Sequence, residues 1–268
     1  MAKVISLNDR QVIHDDERLL VQMPRDVADS NMRPFLAVAS DKRLYWCKEI
    51  QNPDGYESII NEIVGSEIGR AIGAPIREWR ILQVPASLDK ARIKKLKTLH
   101  EGPVFGTLDI HGGDVDLMDR GIEFIDCDGN YQRIPKLIAL WLLCNANDLQ
   151  VIFDHSDESR VYSIDHGLWF GSEDIMWSLA PPDMRAGQVD LPGLTKPVPA
   201  AEWDKAIAKV EELRLDSFSE IMSLFPDEWK VREEEVMSLV KYAIGRKNYT
   251  VEKLEYLKKK HRERPESP

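Results

Sequence analysis

The stretch IPKLIALWLLC, residues 134–144, holds nine apolar side chains and only one charge. A helix that is apolar nearly all round has to be enclosed on most sides, so other elements must wrap about it. At 268 residues the chain is long enough to do this as one large domain or as two lobes with a sizeable core. Directly after this segment comes NANDLQVIFDHSDESRVYSIDHGLWF, in which two β-prone runs, LQVIF and VYSI, flank the polar turn DHSDES. Pairing the runs as a hairpin brings Asp148 and Asp165 to the same edge. Two carboxylates brought close repel unless one is protonated or a cation lies between them.

The remaining composition excludes several classes. No apolar run approaches the roughly 20 residues needed to span a bilayer, and the start, MAKVISLNDRQVIHDD, has no apolar or Arg-rich targeting character. A soluble, cytoplasmic protein without a membrane partner is expected. Cys47, Cys127 and Cys144 are odd in number and widely spaced among apolar neighbours, which suits core thiols in a reducing compartment better than disulfides or a zinc knuckle. A net charge of -10 disfavours nucleic acid as a partner, because the overall field repels phosphates. The basic end KLEYLKKKHRERPESP reads as the solvated face of a terminal helix.

Along the chain, FLAVASDKRLYWCKEI predicts a hairpin that Lys48 closes, and YESIINEIVGSEIGRAIG predicts a helix stopped at Gly73. REWRILQVP and PVFGTLDI read as strands, with LDKARIKKLKTL between them as a basic helix. Gly112-Gly113 marks a boundary between a strand-rich part, residues 1–112, and a larger helical part, residues 113–268. Residues 180–199 read as an ordered Pro/Gly-rich connector. Helices are expected over AAEWDKAIAKVEELR, PDEWKVREEEVMSLVKYAIG and VEKLEYLKKKHRE. The fold class is α+β, with a small β-rich lobe, a larger mainly helical lobe and a cleft between them.

Two constellations carry chemistry. Lys48 ends an apolar strand, and Glu62 sits on the following helix among inward-facing isoleucines. A lysine held by a glutamate is a positioned cation for a nucleotide phosphate; the plain structural alternative is an unrelated surface pair. The second is Asp148 with Asp165. Mg2+ suits the space between them, since it takes a few carboxylate or carbonyl oxygens plus substrate phosphates. Gln150, on the same face as Asp148, can add a neutral oxygen or orient a nucleophile. Their plain alternative is a turn cap and a strand terminator. His155 and His166, grouped with Asp148 and Asp165, would instead suggest a metal-dependent hydrolase, but their spacing matches no familiar zinc signature, and His166 reads better as a packing residue beneath its loop. The chain has no G-x-S-x-G, Walker or G-x-G-x-x-G motif.

The run RPFLAVASDKRLYWCKEIQNPDGYESIINEIVGSEIGRAIGAPI, with VFGTLDI, NDLQVIF and VYSIDHGLWF, resembles the HipA-like branch of the protein-kinase-like fold; FPDEWK and Gly245-Arg246 are weaker echoes. The resemblance implies ATP- and Mg2+-dependent phosphoryl transfer by a serine/threonine protein kinase. It places Lys48 on the phosphates with Glu62 holding it, and Asp165 and Gln150 on the metal. Asp148 becomes the catalytic aspartate, and the backbone of Leu108 and Ile110 meets the adenine. The implied partners are the nucleotide, a protein or small-molecule phosphoacceptor and, as in toxin-like relatives, a regulatory protein. The turn before Lys48 lacks glycine, and the H-R-D-x-x-x-x-N spacing is absent. Both departures fit a pseudokinase-like alternative, a regulatory module that binds nucleotide and transfers nothing.

Overall fold

A computed structural model describes residues 18–30, 32–52, 55–117, 129–172 and 177–262. The chain runs β1 (Leu19–Val27), β2 (Phe35–Ala39), β3 (Leu44–Lys48), α1 (Gly55–Ile72), β4 (Trp79–Val84), β5 (Arg92–Ile93), β6 (Lys97–Thr98), β7 (Gly102–Leu108), β8 (Asp114–Leu117), α2 (Asn130–Leu143), β9 (Gln150–Asp154), β10 (Arg160–Ile164), α3 (Ala200–Glu212), α4 (Glu233–Gly245) and α5 (Lys247–Arg262). The N-terminal part is sheet-rich and the C-terminal part helical. Among the described residues, no helix is long and apolar enough to cross a membrane.

Five strands close a barrel in the order β1-β2-β3-β7-β4, the first and last meeting in parallel at Leu19 and Leu82. Strict alternation drives this closure: Phe35, Ala37 and Ala39 on β2 and Tyr45 and Cys47 on β3 point inward. They meet Leu82, Val84 and Val104 to form a core of their own. At Gly106 a Cβ would lie 2.0 Å from Leu82 Cδ1, so the close crossing of β7 with β4 requires glycine there. Strand β1 escapes a sequence reading because register shifts at Val21/Met23 and Pro24/Asp26 break its period of two.

A second core joins Ile59, Ile63, Val64 and Ile68 of α1 to Leu137, Leu140 and Trp141 of α2, Trp203 of α3, Leu239 of α4 and Leu254 of α5. Each such buried side chain contributes about 1.5–3 kcal/mol. Helix α1 precedes residue 112, yet it shares its core with the later helices and meets the sheet through Trp79 and Phe105. The short sheet β10-β9-β8 lies beside this core, and residues 109–113 connect it to β7.

Two expectations need correction. Residues 88–99 are not a helix but the small hairpin β5–β6, turned at Lys94 and Lys95, both at positive φ. Ile93, Lys97 and Leu99 are buried at a period of two, and buried Glu49 holds Lys97 at 2.7 Å. The helix expected from Pro226 starts only at Glu233. Residues Asp227–Trp229 form a 3-10 turn ended by Lys230 at φ 52, so that the buried Trp229 indole donates to Pro103 O at 3.2 Å. Cys47 and Cys144 are free, buried thiols, their pKa raised by burial; Cys127 lies outside the described residues.

Candidate active site

The end of β3 and the middle of α1 converge on one amine. Lys48 Nζ donates to Glu62 Oε1 at 2.5 Å and to Asp165 Oδ1 at 2.7 Å. The Lys48 and Glu62 side chains are 12% and 5% exposed, and Asp165 is 44% exposed. Burial alone would depress the Lys48 pKa, but Asp165 and Glu62 outweigh it and hold it above its ordinary value. In turn Lys48 holds Asp165 below the usual carboxylate range against the pull of burial, helped by its own hydrogen bond, by His166 and by the Gly167 N–H.

Asp148 and Asp165 flank the hairpin β9–β10, whose last register pair is Gln150 with Ile164. Both aspartates adopt positive φ, 49° and 54°, a conformation that aspartate tolerates better than most residues. Gln150 Nε2 donates to Asp148 Oδ2 at 2.8 Å and reaches Asp165 Oδ2 at 3.5 Å. The repulsion anticipated between the two acids is therefore relieved by an amide N–H2 between them and by Lys48 on the far side of Asp165.

Behind Asp165 the loop is stitched to α1. Buried Asn61 donates to Gly167 O at 2.8 Å, Trp169 O at 3.1 Å and Ser172 Oγ at 2.8 Å, and accepts from Trp177 Nε1 at 2.7 Å. A Cβ at Gly167 would fall 2.4 Å from Ser58 Oγ, so this contact also depends on glycine. The loop after α2 is anchored through Phe170 N to Cys144 O at 2.9 Å and through buried Arg246, whose Nε donates to Leu142 O at 2.6 Å. Neither Asn61 nor Arg246 had an assigned role in the sequence reading; the signal for Asn61 was a polar residue beside Glu62 on an otherwise apolar face.

The histidines separate from the acids. His166 is buried, stacks on Trp169 at 4.0 Å, and meets Ser163 Oγ and Ser66 Oγ at 3.0 and 3.4 Å. Burial lowers its pKa despite Glu62 and Asp165 nearby. His155 stands at the opposite end of the hairpin, bonded to Ser159. Among the described residues, no group of three His, Cys, Asp or Glu is placed to hold a metal ion, so the hydrolase arrangement of Asp148, His155, Asp165 and His166 does not form. The groups that do gather are two carboxylates with the Gln150 amide presenting Nε2 between them; carboxylate oxygens are hard donors of the kind that hold a divalent ion completed by phosphate oxygens.

The expected backbone contact to a base is partly closed. Leu108 N–H donates to Glu78 O at 2.9 Å, and Arg77 Nε takes Leu108 O at 3.0 Å. Asp109 N–H donates to Leu44 O at 2.9 Å, and Arg77 Nη2 takes Asp109 O at 3.0 Å. Ile110 O accepts from Gly113 N at 3.1 Å. The Leu108 N–H is therefore occupied, its carbonyl keeps one lone pair, and the Ile110 N–H has no partner among the described residues.

Residues 20–115 match the family model described as HipA-like kinase. The matched segment carries Lys48, Glu62 and β7 and ends before Asp148. No curated protein matches the chain. Among solved structures, a crystal structure of the Golgi casein kinase aligns with 92% of this chain and 75% of its own at 13% identity, TM-score 0.44. The structure of the Golgi casein kinase with Mn/ADP bound aligns with 92% and 74% at 14% identity, TM-score 0.43.

Proposed function

We propose that this protein is a HipA-like phosphotransferase that moves the γ-phosphoryl group of ATP, with Mg2+, to a hydroxyl of a protein or small molecule. The observation that carries this reading is Lys48 held between Glu62 at 2.5 Å and Asp165 at 2.7 Å. The strand and helix bearing Lys48 and Glu62 are the third strand and following helix, as in protein kinases. In this reading the barrel is the small lobe, the helical part is the large lobe, and the nucleotide lies between them.

The residues divide the work by exposure. Lys48 exchanges Asp165 for phosphate oxygens, while Glu62 stays and fixes the direction of the amine. Asp165 and Gln150 would hold the metal, which when bound neutralises charge on the phosphates. Turning the Gln150 amide about its terminal bond presents Oε1 in place of Nε2 to the same space. Asp148 is exposed, and one of its oxygens is occupied by Gln150; the other accepts the proton of the incoming hydroxyl. Asn61 and Arg246 hold the loops that bear Asp165 and Asp148.

One observation favours the pseudokinase-like reading. The turn from β2 to β3 is fixed by Asp41, which accepts from Arg43 N, Arg43 Nε and Tyr45 Oη at 3.0, 2.9 and 2.8 Å, rather than by glycines that fold over phosphates. A thermal shift with ATP, with and without Mg2+, and a γ-label transfer assay separate the readings. Transfer predicts a Mg2+-dependent shift lost in Lys48→Ala and Asp165→Ala, and labelling cut about 10²–10⁴-fold in Asp148→Asn. A shift without any labelling would leave the regulatory module, and no shift at all would remove both.

A further inference from the structure

Glu49 follows Lys48 directly and is 1% exposed. Successive side chains of a strand point to opposite faces, and burial carries that alternation one residue past β3: Lys48 turns to Glu62 and Asp165, Glu49 to the β5–β6 hairpin. There Lys97 Nζ lies 2.7 Å from Glu49 Oε2 and donates to Asn52 Oδ1 at 2.8 Å, while Glu49 Oε1 accepts the His100 N–H at 2.9 Å. Asn52 Nδ2 in turn donates to Met32 O at 2.7 Å. The hairpin is a fixed platform: Ile93 and Leu99 lie in the barrel core, Lys94 pairs with Asp26 at 2.7 Å, and Arg33 Nη1 donates to Leu96 O at 3.3 Å. One lysine therefore holds both ends of the segment 49–52, which begins the link between β3, carrying Lys48, and α1, carrying Glu62. The link is closely folded, because a Cβ at Gly55 would fall 2.5 Å from Ile50 O and 2.7 Å from Glu49 O.

A buried ion pair is a poor source of stability, since apolar side chains of the same size serve as well or better. Resting on the reading as a nucleotide-dependent phosphotransferase, we propose that Glu49 and Lys97 are positioning residues: by pinning the segment 49–52 to the β5–β6 hairpin they set where the Lys48 amine stands relative to Glu62, and so how well it meets phosphate. They act through Lys48 and touch no part of the nucleotide. Such remote placement matters because a displacement of about 1 Å at a reacting group can cost about 10²-fold.

The test compares the full chain with Lys97→Met, the double variant Glu49→Leu/Lys97→Met, and Asn52→Ala, measuring Tm and, by calorimetry, the Kd of ATP with Mg2+ and of adenosine. Lys97→Met, whose buried carboxylate keeps the His100 N–H but no ammonium, is expected to melt below wild type, and the double variant, with no stranded charge, to regain the lost Tm. The double variant should nevertheless bind ATP about 5- to 150-fold more weakly, with adenosine, which offers Lys48 no phosphate, changed less than about twofold. Asn52→Ala alters a half-buried residue and leaves the ion pair in place; it should weaken ATP less than the double variant does and again spare adenosine. A double variant that binds ATP as wild type does would overturn the inference, because the pair would be dispensable to the site. Equal losses of ATP and adenosine would overturn it as well, making the pair a general support of the fold, and so would a double variant no more stable than Lys97→Met, making it a source of stability. Failure of the wild type to bind ATP would instead remove the phosphotransferase reading beneath it.

Discussion

Lys48 is held from two sides that differ in kind. On the α1 side, Glu62 is 5% exposed and lies in a helix whose apolar residues belong to the largest core of the molecule. On the hairpin side, Asp165 is 44% exposed and stands at positive φ at the end of a short strand. The inner partner is shielded and permanent, and the outer partner can be exchanged for a ligand at little cost. The sharpest way to break this contrast is to remove each acid in turn. Glu62→Ala takes the shielded partner from a largely buried ammonium and leaves it only the exposed Asp165; it is expected to cost about 1.5–3 kcal/mol, read as a fall in Tm of roughly 6 °C. Asp165→Ala removes a solvent-screened partner and should cost under about 1 kcal/mol, while abolishing any Mg2+-dependent response to ATP. Equal losses of stability in the two variants would show that the sides are not different.

Asn61 sharpens the comparison, because it sits on the inner side and acts on the outer one. Asn61→Ala strands Trp177 Nε1 and leaves Gly167 O and Trp169 O with only the Ser172 hydroxyl, and an expected loss of about 1–3 kcal/mol follows. Because the freed loop begins at Asp165, the concentration of Mg2+ needed for half-maximal response should rise more than that of ATP. A variant that loses stability but keeps the wild-type Mg2+ dependence would confine Asn61 to a packing role.

How far this arrangement was legible depended on whether local pattern or tertiary contact decided each part. The β2–β3 hairpin, α1, and the β9–β10 hairpin announce themselves through clean periods of 2 and near 3.6, and those are the elements that carry Lys48, Glu62, Gln150 and the two aspartates. Residues 88–99 misled because their lysines resemble the polar face of a helix, while one of them, Lys97, is buried against Glu49, a partner 48 positions earlier. The delayed start of α4 has the same origin, since Trp229 turns toward Pro103 on β7. Within the site, the type of residue signalled the acids and the lysine. The bonds from Arg77 to Leu108 O and Asp109 O depend on how β4 and β7 pair, which no single stretch of sequence displays.

The smallest effect separates two neighbours in the chain. His166 and Asp165 are adjacent, yet one belongs to the buried side and the other to the exposed side. Burial holds the His166 pKa below its ordinary 6.5. In the unfolded chain this group takes up a proton near that pH while the folded protein resists it, so stability is present above pH 6.5 and falls as pH drops below it. The slope from this group is at most about 1.4 kcal/mol per pH unit. Asp165, held below its ordinary 3.8 chiefly by Lys48, loses its contribution only at pH values lower still, as pH falls through its depressed pKa. Urea unfolding at pH 7.5, 6.5 and 5.5 should therefore show wild type weakening across a range in which His166→Gln stays flatter and Asp165→Asn tracks wild type. If His166→Gln instead weakened in parallel with wild type, the imidazole would have to be charged in the folded protein, and its stack on Trp169 beneath the loop would be solvated rather than dry.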